Sequence, residues 1–295
     1  MVFLPAAVYL SRGLTAARRA RTSRCWLATL LACLAGMSVF LPSIARAQTL
    51  EQQQLEQAGL GQRAATSNWN NFLGAGVAAS PTYEGADSYR VRPVPFLLFD
   101  YRDELFFGPL GLQWKAIDAE GFRAGPVIGF LGGRSQSLSP RLEGLGDIRT
   151  SITAGVFATY RAGPFQLATT FRQAITHTEN GWLGLVQLDY RTVIVTRKVV
   201  LAVGPEIELA SGQYNQTWFG VSSVQSIDSG LPVFTAGAGV KDYGVHANLT
   251  YICTQHILLR AFVDVKEIAG DLTDSPIVQR STATTVGVGM AYHFK

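Results

Sequence analysis

The sequence predicts an all-β fold, an antiparallel transmembrane β-barrel, on three observations. Segment after segment alternates apolar and polar residues with a period of two, the spacing of a strand with two unlike faces. Many segments run to about the 9–11 residues that a tilted membrane strand needs, against ~5–6 for ordinary strands. The composition, 16% charged and 11% aromatic with 30 glycines among 295 residues, suits a closed sheet better than a helical enzyme. The soluble alternative for this pattern, a periplasmic β-sandwich or lipocalin-like barrel, is disfavoured by the strand length.

Residues 1–47 read as an export signal. Arg18 to Arg24 form a basic region, Cys25 to Leu41 an apolar run, and Ala45-Arg46-Ala47 an A-x-A cleavage site. The run is shorter than the ~20 residues of a membrane helix and ends at Pro42. These residues hold six arginines and no acid, so the formal charge of +4 belongs to the leader. The remaining 19 basic and 21 acidic residues form no basic run, which excludes a nucleic-acid partner. Cys253 is the one cysteine after the leader, so no internal disulfide is expected.

A polar, Gln-rich lead is expected over 48–69 and the barrel over 70–295. After residue 47 no apolar stretch is continuous enough for a spanning helix, so a chain in lipid must close its sheet to pair every backbone group. A weak, Gly-rich strand comes first, Asn71–Ala79. Val91–Tyr101 follows with Leu97, Phe99 and Tyr101 on one parity, then Leu105–Ile117, interrupted at Gly108-Pro109, and Phe122–Leu131. Ile152–Tyr160, Phe165–Ile175, Trp182–Thr192 and Val199–Leu209 continue the pattern. Val245–Cys253, Ile257–Glu267 and Ala283–Phe294 complete it, the last with Val286, Val288, Met290, Tyr292 and Phe294 on the apolar parity. With outer-membrane lipid as the partner of that parity, aromatics at its ends are interfacial girdles.

The connections give the strand count. Taking the C-terminus as periplasmic, Ala269–Thr282, Ser211–Gly244, His177–Gly181 and Gly132–Arg149 fall outside. Thr254–Gln255, Arg197–Lys198 and Ala162–Gly163 fall inside. Long loops thus share one side, as outer-membrane barrels require. The alternation holds through the first third if Leu105–Ile117 folds as two short strands about Gly108-Pro109, which makes twelve strands; ten is the alternative count.

The polar parities carry charges of both signs: Arg172, Asp189, Arg191, Glu206, Glu208, Arg260, Asp264 and Lys266. They read as an ion-pair network filling a narrow lumen in preference to an ion-selective pore. His177, His246, His256 and His293 lack metal-ligand spacing, and GxSxG, HExxH and P-loop motifs are missing. No cofactor, metal or catalytic residue is therefore expected. His177 with Glu179 is the one pair that a hydrolase could use, and a solvated loop histidine is the plainer account.

The loops resemble those of the MipA/OmpV family. Ser80-Pro81-Thr82-Tyr83-Glu84-Gly85 with Pro93–Pro95, and Gly144-Leu145-Gly146-Asp147, carry the first part of the likeness. Phe219-Gly220-Val221-Ser222, Ser229-Gly230-Leu231, Lys241-Asp242 and Asp274-Ser275-Pro276-Ile277-Val278 carry the second. Lys295 after Phe294, and Trp218 where Tyr is frequent, depart from the family pattern. The resemblance implies an outer-membrane barrel of a Gram-negative envelope that acts as a non-enzymatic scaffold for murein (peptidoglycan) enzymes. Its partners would be a lytic transglycosylase and a penicillin-binding protein. A small-solute channel, or a role in osmotic response or adhesion, is the alternative; an outer-membrane hydrolase ranks last. Pro81, Tyr83, Glu84 and Gly85 are expected to clamp one loop. Phe219, Gly220, Val221, Ser222, Ser229, Gly230 and Leu231 are expected to fold the longest loop over the barrel mouth.

Overall fold

The computed structural model describes residues 69–194 and 198–294. The signal sequence, its cleavage at Ala45 and Ala47, and the polar lead before Trp69 lie outside the described residues. The strands are β1 (Trp69–Pro81), β2 (Tyr89–Tyr101), β3 (Leu105–Gly108), β4 (Gly111–Trp114), β5 (Ile117–Ala119), β6 (Phe122–Leu131) and β7 (Ser151–Ala162). They continue as β8 (Phe165–Ala174), β9 (Trp182–Val193), β10 (Val199–Ala210), β11 (Gly239–Ile252), β12 (Ile257–Ile268) and β13 (Thr282–Phe294). Apart from β4 and β5, which do not pair with each other, each pairs antiparallel with its sequence neighbours, and β13 returns to pair with β1. Both β4 and β5 pair with β6, so they share one position in the wall and the barrel closes with twelve strands. The Gly108-Pro109 interruption is the tip of the β3–β4 hairpin.

The sheet is apolar outward. Val286, Val288, Met290, Tyr292 and Phe294 are all exposed, whereas Ala291 and His293 between them are buried. Exposed Tyr190, Tyr251, Tyr292, Phe165 and Phe294 lie near the end with the short turns, the site of one interfacial girdle. Inside, the glycines of β1 and β13 admit aromatic rings. A Cβ on Gly76 would stand 2.6 Å from the Phe96 ring, and one on Gly289 would overlap it. Phe262 covers Gly287 in the same way. The Gly-rich first strand is thus one half of a packing pair.

One expected boundary is corrected. The long loop was expected to last to Gly244, but β11 begins at Gly239. A β-bulge explains the difference: Glu208 faces Asp242 while Leu209 faces Val240. The extra residue turns both Lys241 and Asp242 inward, at 3% and 6% exposure, and breaks the alternation by which a strand is recognised.

The long connections, at one end of the barrel, pack into a cap. It holds two short helices, α1 (Gly212–Phe219) and α2 (Ser223–Ser229). Ser211 caps α1 by accepting from Tyr214 N–H. Ser222 and Gln225 form a reciprocal capping box on α2, which ends at Gly230 in the left-handed region, φ 73°. One buried cluster joins Tyr214, Trp218 and Phe219 to Leu183, Ile268 and Leu272. A second joins Tyr83, Leu142, Leu145, Val221, Leu231 and Ile277.

Candidate functional site

The cap and the charges beneath it form the candidate site. The first loop is pinned by Tyr83, whose hydroxyl donates to Gln279 Oε1 at 2.7 Å and lies 3.1 Å from the Ile277 carbonyl. Gly85, at φ 89°, lies where a Cβ would press on Val278, and its carbonyl accepts from Gln279 and Arg280 N–H. Pro81 closes β1 ahead of this loop. Ser275 Oγ donates to the Phe219 carbonyl at 2.5 Å, the Pro276 carbonyl accepts from the Arg141 guanidinium, and Asp274 is exposed. Phe219 and Val221 are 1% and 0% exposed, and Val221 pairs its backbone with Phe234. At Gly220 a Cβ would collide with Gln216; Ser229 Oγ donates to the Gln225 carbonyl and accepts from Leu231 N–H. The loop residues singled out from sequence therefore sit mostly in helix caps and buried seams of one assembly.

Sequence reasoning passed over Arg134, which is buried in this assembly. It donates to the Trp218 carbonyl at 2.6 Å and lies 5.8 Å over that indole ring. Burial pushes its pKa down and pushes the Tyr214 phenol well above 10.0, with Glu84 adding to the latter.

Under the cap, Lys241 Nζ lies 2.9 Å from Glu84, 2.7 Å from Glu208 and 2.9 Å from Asp242. Glu84 belongs to the first loop and the other two to the wall, so one ammonium ties cap to barrel. Tyr214 Oη reaches Glu84 at 3.4 Å, and its ring lies 5.6 Å from the ammonium. The chain of charges continues down the lumen. Lys266 is 3.9 Å from Asp242 and 2.7 Å from Glu206. His246 stands between Glu206 at 3.3 Å and Asp189 at 2.7 Å, and Arg191 follows at 3.6 Å from Asp189.

Five of the charges expected in the lumen, Asp189, Arg191, Glu206, Glu208 and Lys266, are links of this chain. Three are not. Arg172 donates to the Phe130 carbonyl at 3.4 Å, Arg260 to Asn248 Oδ1 at 2.8 Å, and Asp264, half-buried on β12, sits opposite His246 in register. Three links, Lys241, Asp242 and His246, were missed as lumen charges. His246 was legible as a polar-parity residue of β11; Lys241 was hidden by the bulge.

His177 and Glu179 lie in a separate place, on the outer face of the cap. Nδ1 of His177 is 3.4 Å from Glu179, and the histidine backbone is left-handed at φ 49°. They border a groove of about 370 Å³ with Asp147, Arg149, Thr217 and Ser222. Among the described residues no hydroxyl donates to the His177 ring.

Comparison with known proteins matches residues 73–294 to a family model described as MltA-interacting protein MipA. YiaT of Escherichia coli (strain K12) is 24% identical over 41% of this chain and 48% of its own length. Outer membrane protein Omp26La of Vibrio anguillarum is 25% identical over 54% of this chain and 60% of its own. The chain thus spans about half the length of the curated relatives it matches. Among solved structures, Pseudomonas putida OprB gives a TM-score of 0.37 at 12% identity, covering 62% of this chain and 47% of its own. The NanC porin gives 0.35 at 9%, covering 76% and 98%. The barrel itself is defined by this chain's own strand pairing. With its closed antiparallel wall, its outward apolar face and a family match over most of its length, this chain belongs to the MipA family of outer-membrane proteins.

Proposed function

We propose that this protein is a sealed, non-enzymatic outer-membrane barrel that anchors a peptidoglycan-processing complex. The proposed partners are a lytic transglycosylase, for which the family is named, and a penicillin-binding protein. The observation that carries the reading is the roofed mouth. A cap with two buried apolar clusters is tied to the wall through Lys241, and a chain of ion pairs runs down the lumen beneath. A diffusion pore needs a wet, unobstructed axis, so this architecture favours a barrel used as a membrane-embedded platform. Osmotic-response and adhesion roles have no equivalent support from the geometry.

The test is a pull-down from detergent-solubilised envelopes with the full chain as bait. Enrichment of a transglycosylase or a penicillin-binding protein is expected; repeated absence of both sinks the proposal. In planar bilayers the protein should be silent, and stepwise conductance from unsubstituted protein would favour the channel reading.

A further inference from the structure

The closed wall is lowest on one side, where a short hairpin completes it. Strands β3 and β4 have four residues each, and β3 pairs with β2 only over Phe99–Tyr101. Among the described residues, Tyr89 to Leu98 of β2 therefore pairs with β1 along one edge and has no ladder along the other. On the far side the hairpin tip reaches β6 at Gly129, where an added Cβ would strike the Leu110 carbonyl. Above the tip a notch opens between the free edge of β2 and the end of β6. It lies toward the loop end of the wall, since Val91 is the third residue of β2 and Phe130 the last but one of β6. The residues flanking it face outward: Val91 is 72% exposed, Phe130 63% and Ile128 55%.

Two features choose the occupant. The first is the pair Pro93 and Pro95. Opposed residues of an antiparallel ladder alternate between bonded and non-bonded pairs. A proline cannot donate, so both belong to non-bonded pairs with β1 and turn their nitrogens toward the notch. A docking strand would find two of its donors missing, which disfavours strand addition. The second is charge. Arg90 and Arg92 lie on the interior parity just behind this edge, facing Ser80 and Ala78 in register. Among the described residues neither has an ion-pair or hydrogen-bond partner, Arg90 Nε is buried without one, and Arg92 is exposed in spite of its parity. The planar fork of a guanidinium without a partner in the chain fits a phosphate or carboxylate.

We infer that the notch is a lateral binding site for an anionic lipid of the surrounding leaflet. Its acidic headgroup sits on Arg90 and Arg92, and its acyl chain lies along Val91, Ile128 and Phe130. The inference does not rest on the proposed scaffold role, and its test involves no enzyme partner.

Native mass spectrometry of the full chain in detergent tests it, with phosphatidylglycerol and phosphatidylcholine of identical acyl chains as probes. Phosphatidylglycerol should be retained about tenfold more strongly, equivalent to about 1.4 kcal/mol, and Arg90→Gln with Arg92→Gln should bring the two to parity. Photoactivatable phosphatidylglycerol on the unsubstituted protein should label Val91–Leu97 and Ile128–Leu131, which covers the case of a variant that fails to fold. Equal retention of the two lipids, or adducts spread evenly round the belt, overturns the inference. Displacement by glycerol phosphate as effective as by the lipid also overturns it, since that marks a site for soluble anions.

Discussion

The cap and the barrel obey opposite rules within one chain. In the cap most of the large apolar residues are inside: Phe219 and Tyr214 are 1% and 2% exposed. In the barrel most are outside: Val288 is 56% exposed, and the lumen holds Glu206, Lys266 and His246 beside a few aromatic rings. The cap folds as a water-soluble miniature, because water drives its apolar groups together. Lipid supplies no such drive and accepts an apolar surface as it stands. The two regimes meet at Lys241, the residue that belongs to the wall and grips a loop.

Breaking that junction should have the largest effect. Lys241→Met removes the ammonium shared by three carboxylates, of which Asp242 keeps a second cation in Lys266 at 3.9 Å, and losing one partner of a buried pair costs about 3–5 kcal/mol. The loops should become protease-sensitive while the barrel still migrates as a folded band in unheated gels. A large-to-small change separates the regimes next. Phe219→Ala should cost about 3–5 kcal/mol by opening a cavity, read as the same loop sensitivity, whereas Val288→Ala should hardly shift thermal unfolding because lipid refills the space. A charge inverts that order: Val288→Lys should cost about 2–4 kcal/mol, and Ile227→Lys, 83% exposed on the cap, should stay within about 0.5 kcal/mol. Equal effects at the two sites would erase the distinction.

Two smaller effects concern pH and the free edge. Asp147, held below 3.8 by the Gln136 N–H and the Ser135 hydroxyl, contributes to the cap above that pH. The contribution disappears as pH falls through its lower folded value. Tyr214, raised above 10.0 by burial, acts at the other end: its contribution is whole below pH 10 and lost above it. Proteolysis of the cap across pH should therefore be flat in the middle and rise at both extremes. At the notch, replacing Pro93 and Pro95 with Val restores two donors to the edge and should raise the dimer fraction measured by light scattering in detergent.

Most of the wall was legible because the period of two is a local property. The outward parity of β13, the hairpin about Gly108-Pro109 and the placement of long loops at one end can all be read from alternation and turn residues. The lumen charges on β8, β9, β10 and β12 were legible for the same reason. Lys241 was not, since a bulge shifts parity and looks like the end of a strand. The link from Glu84 to Lys241 was beyond reach because it joins residues far apart in the chain. The cap residues were recognised by family likeness, and their local causes (a capping box, a left-handed Gly230, a seryl hydroxyl closing α2) emerged only with the backbone conformation.

The amino-acid order alone determined that lipid covers one face of each strand and that the polar face turns inward, because side-chain alternation is set by neighbours in the chain. The tertiary structure alone decided which charges meet, how the loops close the mouth and where the wall is lowest. Those outcomes depend on register, on a single bulged residue and on the length of one hairpin, and such long-range geometry is written in no local stretch.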